Sequence, residues 1–129
     1  MDKNLINVSS VESFMDGLLR GSVTDNLFFG NFPAVYRKSW KDVVVVDTNY
    51  LYDNDAYGRG TVLLFVYVPP IGEGIKDVGT FASIERKINQ AIEENNDYTY
   101  RVQRRETYCD YDASKKLFVN IVELTLMIL

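Results

Sequence analysis

Two periods of apolar residues alternate along this chain, one helical and one sheet-like. Val11, Phe14, Met15, Leu18 and Leu19 recur at spacings of three and four, which predicts a short helix over about Val11 to Arg20. Ser9 and Ser10 stand where a capping hydroxyl is needed, and Gly21 stands where the chain must leave the helix cheaply. The same spacing returns in Phe81, Ile84, Ile88, Ala91 and Ile92, with Glu85, Arg86, Lys87, Gln90, Glu93 and Glu94 on the opposite side. A longer amphipathic helix is expected from Thr80 to Glu94, with Thr80 as a candidate cap.

Between and after these helices the period falls to two. Lys41 to Tyr52 is rich in Val and Tyr, and Thr61 to Val68 returns as an apolar strand halted by Pro69 and Pro70, which cannot donate to a ladder. The turn-forming run Asp53 to Gly60 makes these two strands a long hairpin. Tyr98, Tyr100, Val102 and Tyr108 alternate with polar residues, Cys109 to Lys116 reads as a second turn, and Leu117 to Met127 as a closing strand. The punctuated segment from Leu27 to Pro33 packs against the core or a partner and leads into a short strand at Ala34 to Arg37. The expected fold is a single α+β domain over residues 1–129: a mostly antiparallel sheet of four to five strands under one long helix and a shorter N-terminal one.

Composition narrows the chemistry. A length of 129 residues and a hydrophobic fraction of 47% suffice for a packed core. Fourteen Lys and Arg against eighteen Asp and Glu leave a net charge of -4, so the molecule as a whole repels polyphosphate and nucleic acid is disfavoured as a partner. With no histidine, no serine or cysteine has its usual activating base. The single Cys109 excludes an internal disulfide and fits a reducing compartment. No apolar run approaches the roughly 20 residues that span a bilayer, and no export signal is evident, so an intracellular protein without membrane contact is expected.

Individual motifs point the same way. The Gly-rich loop from Ile71 to Gly79 lies between a strand and a helix but lacks the lysine and glycine spacing that cradles phosphate, so a flexible connection is expected there. Asp53, Asn54 and Asp55 resemble the start of a calcium loop, yet the register fails, and Asp110 with Asp112 lacks a third ligand. Asp47 is a lone carboxylate in an apolar strand. No catalytic residue, cofactor or metal is assigned. Arg101, Arg104 and Arg105 near tyrosines suggest phosphate and base binding, but alternation splits them: Arg101 and Arg105 on one face, Arg104 with the tyrosines on the other. Ion pairing across strands, for instance to Glu123, is the simpler expectation. Nine tyrosines and seven phenylalanines exceed what a small core readily absorbs, and aromatic residues favour interfaces. Candidate partner contacts are therefore Phe28, Phe29, Phe32, Asp53, Asn54, Asp55, Tyr57, Arg59, Arg101 and Arg105, with the apolar C-terminus at Leu126 to Leu129; packing into the chain's own core is the alternative for these apolar segments.

The order of elements resembles a known family. An N-terminal helix, the Pro-containing segment Phe32, Pro33, Ala34, Val35 and Tyr36, two long strands around an extended hairpin, a Pro-Pro stop, a long helix and two closing strands look like the phage tail-completion or tail-terminator proteins and the related head-tail joining proteins. The resemblance implies a non-enzymatic virion assembly subunit of a phage or prophage, found in the bacterial cytoplasm or the virion. It would form a ring, commonly hexameric, with copies of itself and bind other structural proteins, the hairpin and the Ile71 to Gly79 loop reaching its neighbours. A small bacterial protein-binding or adaptor domain is the alternative, and a carboxylate- or metal-dependent enzyme the third reading.

Overall fold

In the computed structural model, which describes residues 7–51, 58–95 and 99–129, two helices cover one face of a five-stranded, mostly antiparallel sheet. Helix α1 (Val8–Leu19) begins earlier than Ser9 and Ser10 suggest, because Asn7 supplies the cap: its side-chain oxygen accepts from the Ser10 N–H at 3.0 Å. Helix α2 (Val78–Glu93) is likewise capped by Asp77 rather than Thr80, whose N–H and hydroxyl both donate to the Asp77 carboxylate. In both helices the residue assigned as cap from the sequence lies inside the first turn.

Strand β1 (Leu27–Phe29) runs parallel to β2 (Val43–Asp47), and β2, β3 (Arg59–Val68), β5 (Leu117–Ile128) and β4 (Tyr100–Asp112) then pair antiparallel in that spatial order. The expected strand at Ala34 to Arg37 does not form; the pairing segment is Leu27–Phe29 instead. A parallel pair needs a crossover of a dozen or more residues. Residues 30–42 provide it, so Ala34 to Arg37 lie in the crossover. The junction is pinned by Thr24, whose hydroxyl donates to Asp42, and by Asn26, which donates to the Asp42 carbonyl at 3.1 Å. Strand β2 is also shorter than expected, since residues 48–51 turn away, with the Leu51 N–H donating to the Thr48 carbonyl at 3.1 Å. In the second hairpin β4 extends to Asp112, which leaves Cys109 exposed within the strand and confines the turn to residues 113–116.

The core lies between sheet and helices. Val11, Met15 and Leu19 of α1 and Phe81, Ile84 and Ile88 of α2 meet Val44, Val46, Val62, Leu64, Val66, Val122, Leu124 and Leu126, all buried. Among the described residues no buried side-chain nitrogen or oxygen lacks a hydrogen-bond partner. The Ile71 to Gly79 loop is tied by two backbone bonds, Ile71 N–H to the Ile75 carbonyl and Ile75 N–H to the Gly72 carbonyl, both 3.0 Å. It leaves Ile71, Ile75 and Val78 exposed.

Candidate functional site

The opposite face of the sheet has two zones. The crossover lies over the β1–β2 end, where rings form a continuous chain: Phe28 stacks on Trp40 (5.9 Å), Trp40 meets Tyr36 (6.0 Å), Tyr36 meets Phe32 (5.5 Å), and Phe32 meets Tyr67 (5.0 Å). Beneath them Val43 and Val45 are buried. Burial pushes the Tyr36 and Tyr67 hydroxyls above their ordinary pKa, although the Lys115 ammonium works against this at Tyr67. The Lys115 ammonium stands 5.2 Å from the Phe32 ring centre and is paired with Asp112 at 3.1 Å.

Over β3, β5 and β4 no helix covers this face among the described residues. Strand register arranges the side chains there in rows. Arg59, Met127 and Arg101 form the first row; Thr61, Thr125 and Gln103 the second; Leu63 and Glu123 the third; Phe65, Ile121 and Tyr108 the fourth. The third row ends in a β-bulge: Arg104 pairs with Leu124 and Thr107 with Val122, so Arg105 and Glu106 together oppose Glu123. Arg59, Thr61, Gln103, Arg105, Glu123, Thr125 and Met127 line a shallow hollow of about 290 Å³. Tyr108 donates to Glu106 at 2.6 Å, and this bond to the carboxylate holds the phenol pKa above its usual value. Among the described residues Arg101, Arg105 and Glu123 enter no ion pair, so the expected bridge to Glu123 is not made.

The bulge also corrects the expected sharing of faces. It turns Tyr108 onto the side of Arg101 and Arg105, leaving Tyr100 and Arg104 on the helix side. Arg104 is fully engaged there, donating to Glu85, Asn89 and Thr107 at 2.7 Å each, and stands apart from the other two arginines. Of the residues singled out from the sequence, Arg59, Arg101 and Arg105 come together on the open face. Phe28 and Phe32 join the aromatic chain, whereas Phe29 points to the other side and packs against the core. Asp53, Asn54, Asp55 and Tyr57 lie outside the described residues.

Asp112 caps its own turn, accepting from Ser114 and from the Lys115 N–H, and these bonds lower its pKa. Asp47 accepts from the Asn49 N–H at 2.8 Å. Both carboxylates thus act locally as turn caps. Among the described residues no three His, Cys, Asp or Glu side chains gather as metal ligands, and no helix is long and apolar enough to cross a membrane. Met127 belongs to the C-terminal segment expected to make contacts and Glu123 was expected only as an ion-pair partner, whereas Thr125 went unnoticed, although alternation with buried Val122, Leu124 and Leu126 placed all three on one face. Comparison with models of known protein families and with curated proteins finds no match.

Proposed function

We propose that this chain is a non-enzymatic assembly subunit of the tail-completion or tail-terminator type, one copy in a ring at the end of a phage tail or at its junction with the head. The reading rests on one observation above others, the unequal treatment of the two sheet faces. Helices seal one; the other leaves the half-buried Leu63, Phe65, Ile121 and Met127 beside three arginines without a covering helix among the described residues. An antiparallel sheet can face water on one side, but it then carries mainly polar residues there. Apolar side chains rimmed by charge mark a protein contact instead. The resemblance in the order of elements, from an N-terminal helix to two closing strands, adds weight to the reading.

In this role the chain's function is geometric. The sheet and its helices form a rigid wall, and contacts with other copies and with other structural proteins use surfaces that are preformed. Light scattering coupled to size-exclusion chromatography, from micromolar to millimolar protein, tests the reading, with electron microscopy of the largest species. A closed annular oligomer is expected. A chain that stays monomeric or dimeric throughout would sink the ring and favour an adaptor domain.

A further inference from the structure

The inference here deepens the reading of the chain as a self-assembling subunit and rests on it. We propose that the open sheet face receives the outer side and C-terminal end of α2 from a second copy, so that neighbouring subunits join head to tail.

Charge complementarity carries the assignment. Helix α2 ends in Glu93 and Glu94, both exposed, with no basic residue in its last turn. A helix C-terminus already carries negative partial charge, so carboxylates there add to an unfavourable potential that a cationic partner relieves. Gln90 donates to Glu94 at 3.0 Å, and no ion pair engages either carboxylate among the described residues. The open face supplies the counterpart: Arg101 stands beside Met127 at the same end of the sheet, in the row that also holds Arg59 about 10 Å away at two strand spacings.

The order of charges along each surface agrees as well. Moving back from the acidic end of α2, past uncharged Gln90 and Asn89, the next exposed charged residues are Lys87 and Arg86. Seven residues of helix separate Arg86 from Glu93, about 10 Å. On the sheet, moving back from the Arg59–Met127–Arg101 row, Glu123 and Glu106 follow, with Arg105 in the same row. Four residues of strand separate Met127 from Glu123, about 13 Å. The row that faces Arg86 and Lys87 thus carries two carboxylates against one guanidinium, on a similar spacing.

Placement within one subunit completes the argument. The Asn95 side chain donates to the Tyr100 carbonyl at 3.2 Å, which ties the end of α2 to the start of β4, next to Arg101. Both patches thus sit at one end of the molecule on opposite sides of the sheet. They cannot meet within a chain, but a copy displaced along the sheet normal, without turning over, brings them together. Such a contact is heterologous, and its repetition closes a ring when the rotation between copies divides a full turn.

Two charge-reversed variants test this, one carrying Arg101→Glu, the other Glu93→Arg and Glu94→Arg, with circular dichroism confirming each fold. Each alone should need at least about tenfold more protein for half-assembly than the wild type, because like charges meet across the contact. Mixed in equal amounts they should assemble again, since each inverted patch then faces its opposite. In a Cys109→Ser background, a chain with Arg101→Cys mixed with a chain with Glu94→Cys should form a crosslinked pair on oxidation, which serves if a reversed variant fails to fold. Variants that assemble as the wild type does, or an absent crosslink in an assembled sample, overturn this interface and leave the ring reading standing. A wild type that never assembles overturns both.

Discussion

Gly60 and Asp77 show how single residues set this fold. Gly60 lies on the core side of β3, in the row of Leu126, and a Cβ there would enter the carbonyl oxygen of the buried Leu51. The main chain after β2 can close over the sheet only because that side chain is missing. Gly60→Ala is expected to cost about 2 kcal/mol, as overpacking a filled site does, read as a lowered urea midpoint. Gly17, with nothing within 4 Å of its would-be Cβ, is a control where alanine should not destabilise. At Asp77, bonds from the Thr80 hydroxyl and N–H hold the carboxyl below its ordinary pKa. A carboxylate depressed on folding contributes stability above its unfolded pKa and loses it as pH falls through the folded one. The stability gap between wild type and Asp77→Asn should therefore shrink as urea titrations move from neutral pH into the acid range. A gap that widens would contradict the assignment.

At the scale of elements the bulge in β4 has the largest effect. Two residues opposite Glu123 change which face the rest of the strand presents, and this brings Tyr108 to the arginine side. Removing Glu106 should restore one-to-one pairing while keeping Thr107 opposite Val122. The deletion variant is expected to fold with an unchanged strand signal in circular dichroism and a urea midpoint close to that of wild type, because the lost Tyr108 bond lies at the exposed surface. Deleting Val122 instead would invert one end of β5 and should unfold the chain. The bulge was not legible in the sequence, because Arg104, Arg105, Glu106 and Thr107 are all polar and give no break in hydrophobic period. The helices were legible since their apolar faces are long; only their caps moved outward, to Asn7 and Asp77.

For the molecule as a whole, the crossover over residues 30–42 decides which part of the second sheet face stays open. It carries the single tryptophan, Trp40, into a ring chain that ends on Tyr67 of β3. If crossover and sheet form one cooperative unit, tryptophan fluorescence and far-ultraviolet circular dichroism should give coincident urea transitions. A separate, earlier fluorescence change would show that the crossover detaches first. The aromatic excess noted in the sequence is thus partly spent within the subunit, since Phe32 and Tyr36 pack on Trp40 and Tyr67, while Phe65 and Tyr108 remain on the uncovered side.

Local periodicity sufficed to determine both helices, the long strands β3 and β5, the existence of β4 and the α+β class, because burial of one face imposes a repeat that each segment carries within itself. Only tertiary structure decided that Leu27–Phe29 pairs in parallel beside Val43–Asp47, that the crossover covers one end of the sheet, and that Arg59, Arg101 and Arg105 share a face with Glu123. These depend on strand register and pairing between residues far apart in the chain, where a shift of one position exchanges the faces.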